Sequence, residues 1–554
     1  MLKKISPEYN GILFGIPPRL EAVSDFTSKS GIGKLGGSRA TAQPMRALKA
    51  AIKAILKSTS LASNQPISVS TVPANQNRTS MTIHTILEST RHVINTLWTL
   101  PGLNLPLQAT KKLELTGLAN PASSAFRVGA IAQATIACSA LSSAYVHQLR
   151  QGRNEPQAVS VDSRHAVLDF KSEAWVTLDG KLTPNAWDPL AGVYETQDGH
   201  VRIHTNFPHH RDSILTVLGL PIRPVPSRDQ VAKVFKSWLS QDFEDAATLA
   251  GGCVSKIRSF DEWDAHPHGI HSAGNPPLQV SLTKTGEAPV WKVPTKPGDM
   301  PLAGVRVLDL TRVIAGPVCG RTLAAHGADV IWITSPNLPA LPALDIDTSR
   351  GKRTIQLDLN DESDLAIFRN LLKDADVLLQ SYRPGSLARR GFSPEVLAEE
   401  YPGIITANLS AYGTEGPWGG RRGFDSLVQA ATGFNIAEAE ASTTDPGSHS
   451  SIQALPVQAL DHGGGHLLTL GINAALARRI KASRITSRVC RLRDRVPSRS
   501  IPQAPEIENL LVDVPAEFGQ LRALRHAAVM SETPVKVGVA PNGLNVSQPQ
   551  WLPR

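Results

Sequence analysis

The stretch Val305-Arg306-Val307-Leu308-Asp309-Leu310-Thr311-Arg312-Val313-Ile314-Ala315-Gly316-Pro317 reads as a strand, a short loop and the start of a helix. The same alternation continues beyond it. Val305–Leu310, Asp329–Thr334, Val377–Gln380 and Ile404–Leu409 are apolar runs of strand length, and Gly316–His326, Glu362–Lys373 and Pro394–Tyr401 between them read as helices. Strand and helix repeating at this spacing predict a parallel, doubly wound sheet. Such sheets bind ligands at the carboxyl ends of their strands, where Thr311–Gly316, Ser381–Gly385 and Ser410–Gly413 fall. No GxGxxG or GxxxxGK[ST] element follows any of these strands, so the dinucleotide and P-loop readings lack their phosphate cradle.

Outward from this block the chain changes character. Lys284–Met300, with three prolines and two glycines, reads as a linker. Before it, Ile83–Leu100 and Ala125–Arg150 look helical. Gly192–Thr205 reads as a hairpin turning at Asp198-Gly199. Residues 1–80 have no sustained apolar period and are expected to form a basic, disordered leader. The predicted organisation is therefore a leader (1–80), a first half of helices and a small domain (81–283), a linker (284–300), a Rossmann-like half (301–477), an atypical basic segment (478–505) and a tail (506–554).

A chain of 554 residues has room for large cores, and 41% apolar with 19% charged residues is ordinary for a globular protein. Cys138, Cys253, Cys319 and Cys490 lie far apart without a CxxC pair, which argues against a disulfide framework or a structural zinc. The net charge of +9 sits in two places. Residues 1–80 carry 11 Lys/Arg against three acids, and Arg478–Ser500 carries nine against Asp494, leaving the remainder at −7. A nucleic-acid protein carries its positive charge on the folded domain, so no nucleic-acid partner is expected. The uncharged run Val128 to Leu149 contains Gln133, His147 and many small residues, and it reads as a buried helix, with no membrane role expected. No secretory signal is evident; a cytoplasmic location is expected, with the acid-free stretch Phe26–Ser80 pointing to a mitochondrial alternative.

Six ordered segments carry more specific information. They are Thr311–Pro317, Arg350-Gly351-Lys352-Arg353-Thr354-Ile355-Gln356-Leu357-Asp358, Ser381-Tyr382-Arg383-Pro384-Gly385, Gly416-Pro417, Gly423-Phe424-Asp425 through Gln429-Ala430, and Leu460-Asp461-His462-Gly463-Gly464-Gly465. Together they resemble the class III coenzyme A transferases (CaiB/BaiF type), a family that includes formyl-CoA and carnitine-CoA transferases and, as a divergent relative, α-methylacyl-CoA racemase. The resemblance implies an α/β fold, a Rossmann-like parallel layer plus a helical and small α+β domain. With small-domain material first, the order is fused or rearranged, and Ala125–Trp175 resembles a second copy of the helix after Asp461. It further implies acyl-CoA and carboxylic acid partners, coenzyme A as substrate with no permanently bound cofactor, and either a homodimer or an internally fused pseudo-dimer.

Asp461 is the candidate nucleophile. A carboxylate is ionised near neutral pH and attacks a thioester carbonyl without a general base. The glycines after it would leave room for an acyl intermediate, and a helix start there would offer amide donors to an oxyanion; the competing reading makes Asp461 a helix N-cap. Arg383, Lys352 and Arg353 are the candidate anchors for CoA phosphates, which need fixed cationic donors. Ile314, Ala315, Gly316, Asp425 and Gln429 match family positions lining the CoA site. His462 and His466 stand four apart, but without the Glu of the zinc-hydrolase motif no metal site is expected. His204, His209 and His210 read as solvated or substrate-rim residues. The racemase alternative needs a histidine where Phe424 stands, and phenylalanine cannot shuttle a proton. A catalytically lapsed CoA-binding protein is the third reading, because Arg478–Ser500 shows neither strand nor helix period.

Overall fold

The computed structural model describes residues 88–553 apart from 119–120, 123, 184–186, 287–295, 297–298, 443–451, 483–484, 493–506, 517–518, 536–540 and 542. The leader expected at 1–80 lies outside them, as does most of the linker. Past a helix over 88–98, the first half runs β1 (Leu113–Thr116), α1 (Val128–Arg150), β2 (Val159–Asp162), α2 (Ser163–Asp169), β3 (Thr177–Leu178) and β4 (Lys181–Leu182). It continues with β5 (Gly192–Glu195), β6 (His200–Ile203), α3 (Pro208–Val217), α4 (Arg228–Phe235), α5 (Ser240–Leu249), β7 (Val254–Lys256) and, after two short helices, β8 (Leu278–Gly286). The expected hairpin is β5 and β6, joined by β7 into an antiparallel sheet. Tyr194, Val201, Ile203, Ile214, Leu215, Phe235 and Phe243 form the separate core of this small α+β body.

The second half keeps strict alternation: β9 (Arg306–Leu310), α6 (Ala315–Ala325), β10 (Asp329–Thr334), α7 (Pro342–Thr348), β11 (Arg353–Gln356), α8 (Glu362–Leu372), β12 (Val377–Gln380), α9 (Pro394–Glu400) and β13 (Ile405–Leu409). Then come α10 (Asp425–Thr432), α11 (Ala459–Lys481) and β14 (Ile485–Leu492), followed by β15 (Leu511–Ala516), β16 (Gly519–Leu524) and β17 (Ala528–Met530). Strands β9 to β14 form a parallel sheet, with β8 added antiparallel at its edge, in the order β11-β10-β9-β12-β13-β14-β8. Val307, Leu308, Leu378 and Leu379 are fully buried because helices cover both faces, which is why these strands read as unbroken apolar runs. The strand order reverses between β9 and β12, and this switch point places the ligand crevice.

One expectation is corrected here. Residues 478–505 were expected to hold no strand, yet β14 runs through their centre, parallel to β13 and antiparallel to β8. A ladder is made by backbone groups, so an Arg/Ser-rich sequence joins one where neighbours on both sides offer partners. Strand β8 likewise extends to Gly286, into the segment expected to be linker.

Helices α1 and α11, each 23 residues long, pack along one another at the centre of the molecule. The long uncharged run is thus a core helix. Its serines meet polar groups of α11: Asn473 donates to Ser142 Oγ at 3.0 Å and Ser143 Oγ at 2.9 Å, and Ser139 Oγ lies 3.3 Å from His466 Nδ1. A buried ionic seam continues this contact, with Arg321 of α6 bridging Asp347 (2.5 Å) and Asp169 (3.3 Å), and Asp169 meeting His466 at 3.2 Å.

The three glycines after His462 are all buried, and packing requires one of them. A Cβ on Gly465 would lie 2.6 Å from the Ala315 carbonyl oxygen and 2.8 Å from Val318 Cβ, so this glycine permits the close crossing of α11 and α6. A Cβ on Gly463 would meet only Phe170 at 3.6 Å. Gly465→Ala is therefore expected to cost about 1–3 kcal/mol through overpacking. Gly463→Ala is expected to change stability by less than about 1 kcal/mol, since helix propensity favours it. Urea midpoints of the two variants check the difference.

Candidate active site

A cavity of about 450 Å³ opens at the carboxyl ends of the strands. Leu310 closes β9, Ser381 follows β12, Leu409 ends β13, and all three line it. The loop from β9 brings Ile314, Ala315 and Gly316 to its wall. Within this loop Val313 has φ 73°, a left-handed backbone that costs a β-branched residue about 1–2 kcal/mol. That strain is held at the cavity wall, since Val313 also lines it. Arg383 enters from the tight turn Ser381–Gly385, where Gly385 supplies φ 79°.

Asp461 lines the same cavity from the first turn of α11. It is the third residue of the helix and not its N-cap, which is Gln458. The capping carboxylate belongs to Asp425: its Oδ2 accepts from the N–H of Leu460 (2.8 Å) and of Asp461 (3.0 Å). Asp425 in turn accepts from Gln429 Nε2, and Gln429 Oε1 accepts the N–H of Leu455 at 3.0 Å. Both residues are buried and support the helix start from behind; neither lines the cavity. The Leu460 and Asp461 amides are thereby committed, so the oxyanion donors expected at this helix start are not these two. Burial pushes the Asp425 carboxyl up to about 6, against the hydrogen bonds from Asp461, Gln429 and Leu460 that favour its ionised form.

With this geometry in place, comparison with known proteins is direct: residues 302–484 match the family model described as CoA-transferase family III. Over these residues, about a third of the chain, the protein is similar to that family. Its relatives include the "Probable fatty acyl-CoA transferase" of Mycobacterium tuberculosis, 36% identical over 200 residues, covering 34% of this chain and 49% of that protein. The acetyl-coenzyme A transferase of Hypoxylon pulicicidum is 28% identical over 367 residues, covering 57% of this chain and 60% of that protein. A crystal structure of the mycobacterial protein aligns at 33% identity and TM-score 0.30, over 35% of this chain and 53% of that one. The chain spans about half to three fifths of the length of these curated relatives.

The cavity brings together Asp461, Arg383, Ile314, Ala315 and Gly316, but not Lys352 and Arg353. Lys352 is fully buried; its ammonium donates to Asp309 Oδ2 (2.8 Å) and to the Pro317 carbonyl (2.9 Å). Arg353 pairs with Asp329 at 2.8 Å and donates to the Gln550 carbonyl at 2.6 Å, tying β11 to the tail. Neither side chain reaches the cavity, and the expectation that both anchor phosphates is corrected: their charges are satisfied within the protein.

Other cations stand on the cavity wall. Arg312, Arg390, Arg421 and Arg422 line the cavity with Arg383, against Asp358 and Asp461 as its acids. Arg312 lay inside a quoted segment and Arg422 directly before Gly423-Phe424-Asp425, so both were within reach of the sequence. His209 and His210 also line the wall, and only the placement of the small body over the sheet brings them there. Burial, then the charges of His209, Arg422, Arg312 and Arg383, depress His210 to about 3. His462 meets Glu173 at 3.2 Å, and among the described residues no cluster of His, Cys, Asp or Glu is arranged to hold a metal ion.

Two predictions follow from these partners. Lys352→Met leaves Asp309 charged, buried and unpaired, and is expected to cost about 3–5 kcal/mol of stability by urea unfolding. Asp425 binds more protons folded than unfolded between pH 4 and its raised value. Its contribution is therefore fully present below pH 4 and is lost as pH rises through about 6. Asp425→Asn keeps an oxygen acceptor and removes this titration. Relative to the variant, the wild type should lose about 2–3 kcal/mol across that window and nothing above it; stability measured against pH for both proteins checks it.

Proposed function

We propose that this protein transfers coenzyme A from an acyl-CoA to a carboxylic acid, with Asp461 as nucleophile. The observation that carries this reading is the position of the Asp461 side chain: on the wall of the switch-point cavity that Arg383 also lines, in a first turn whose cap is a different carboxylate. Asp461 is thus not needed as the cap. In the first step a carboxylate oxygen of Asp461 attacks the thioester carbonyl, forming a mixed anhydride and releasing CoA thiolate. The thiolate then attacks the aspartyl carbonyl and expels the acyl carboxylate, leaving aspartyl-CoA thioester. An acceptor carboxylate attacks that carbonyl and releases the thiolate again. Attack of the thiolate on the acceptor carbonyl of this second anhydride gives the new acyl-CoA and restores Asp461.

Arg383 is the phosphate anchor in this scheme. Among the described residues its guanidinium has no hydrogen-bond or ion-pair partner, which suits a donor reserved for an anion. The fused arrangement is supported by a repeated unit. Helix α1 crosses from β1 to the parallel β2, and α11 from β13 to the parallel β14, and β2 and β14 each take an antiparallel neighbour, β17 and β8. The first unit has no counterpart of Asp461, so a fused pseudo-dimer of this kind works with one nucleophile. For racemisation, Phe424 stands at the histidine position, stacked on His204 with ring centroids 3.6 Å apart.

Incubation with acyl-CoA and hydroxylamine is expected to inactivate the enzyme by converting the Asp461 thioester to a hydroxamate, read by mass spectrometry. Asp461→Glu keeps the charge but moves the carboxylate by one methylene, and should lower transfer at least about 100-fold through misalignment. Transfer at the parental rate in that variant would reject Asp461 as nucleophile.

A further inference from the structure

We infer that the buried pair of Lys352 and Asp309 is a positioning unit: it pins both ends of the loop 311–317 and keeps that loop in the shape that receives CoA. This rests on the CoA-transfer reading and adds to it two residues that stand behind the cavity wall. Both are buried, and neither lines the cavity.

Asp309 lies within β9 and Lys352 directly precedes β11, so the pair reaches across β10. Asp309 Oδ2 accepts from the Lys352 ammonium at 2.8 Å, and its Oδ1 accepts from the Thr311 hydroxyl at 2.5 Å. The same ammonium donates to the Pro317 carbonyl at 2.9 Å, and Trp332 Nε1 of β10 donates to the Thr311 carbonyl at 2.9 Å. One connected network thus ties the loop at its first residue and at its last. Gly320 of α6 admits the pair: a Cβ there would clash with Asp309 Oδ2 and lie 2.9 Å from Lys352 Nζ. A glycine inside a helix gives up propensity, so local stability is yielded to keep this space open.

The loop has to be tied because its middle is strained. Val313 sits at φ 73°, a backbone that a β-branched residue leaves unless its surroundings hold it. Val313, Ile314, Ala315 and Gly316 form the cavity wall between the pinned ends. This wall also meets the helix of the nucleophile: the Ala315 carbonyl oxygen lies 2.6 Å from where a Cβ on Gly465 would be, one turn past Asp461. Without the tie the loop relaxes, and only a fraction of molecules holds the receiving shape. Affinity falls by that fraction, whereas saturating ligand restores the shape. The strain of one left-handed β-branched residue sets the fraction at about one in 5 to one in 30.

The test removes the tie without stranding a charge. In the full-length double variant Asp309→Leu/Lys352→Met both partners become apolar, which avoids the unpaired carboxylate of Lys352→Met alone. Calorimetry with CoA is expected to give a Kd about 5- to 30-fold weaker than that of the parent, at unchanged stoichiometry. Thr311→Val loses one hydrogen bond and no charge. It should weaken Kd about 2- to 10-fold, and it decides the question if the double variant does not fold. Adding Val313→Gly to the double variant should return Kd to within about threefold of the parent, because glycine adopts a positive φ freely. An unchanged Kd overturns the inference, as does a fall in stoichiometry with Kd preserved, the mark of a pair that only supports folding. A weakened Kd that Val313→Gly leaves weak also overturns it. If the parent binds no CoA, the transfer reading fails, and hydrogen exchange of residues 311–318 decides the tie separately. Faster exchange in the double variant, confined to these residues, supports the tie; equal exchange rejects it.

Discussion

The pairing of α1 with α11 is the contact on which the rest depends. Two long helices, each buried almost all round, gain little from a polar face and must find one another. Across this contact Asn473 donates to Ser142 and Ser143 and Ser139 lies against His466, which helps fix how the helices are set against each other. Because α1 belongs to the first half and α11 carries Asp461, one packing event both joins the halves and positions the candidate nucleophile. The ionic seam of Arg321, Asp347, Asp169 and His466 extends the same junction. Replacing one member would leave a buried charge, so the seam enforces a single arrangement more than it adds stability.

The start of α11 concentrates the electrostatics of the site. Two aspartates share one helix N-terminus, with different duties set by their surroundings. Asp425 is buried and bonded to backbone amides, and its carboxyl is pushed up to about 6. Asp461 is partly exposed and faces a cavity lined by five arginines. Three of those arginines are engaged by the protein, whereas Arg383 and Arg422 are not. A half-enclosed space with unpaired guanidinium groups is complementary to anions, and such a wall also raises the encounter rate of an anionic substrate.

Much of the second half was legible in the sequence. Strands β9, β10, β12 and β13 lie where the apolar runs placed them, because a strand buried on both faces must be apolar at nearly every position. The six motifs drew Asp461, Arg383 and Ile314–Gly316 into one site, as loops after parallel strands converge on one edge of the sheet. Failures have equally definite causes. β14 carries too many arginines to look like a strand, and only its neighbours β13 and β8 make it one. Lys352 and Arg353 looked like phosphate anchors because sequence shows a charge and not its partner. Asp309 and Asp329 hold them, and each is distant in the chain.

What the sequence determined by itself is most of the strands and helices of the second half and the turns that follow its strands. Periodicity and local turn chemistry act over a few residues, and both survive without knowledge of the fold. Tertiary structure decided which charges are spent and which remain available. Pairing depends on distance in space, and burial sets the cost of leaving a group unpaired. Arg383 and Arg422 therefore stand apart from the other cations only once the small body lies over the sheet and His210 closes the wall beside them.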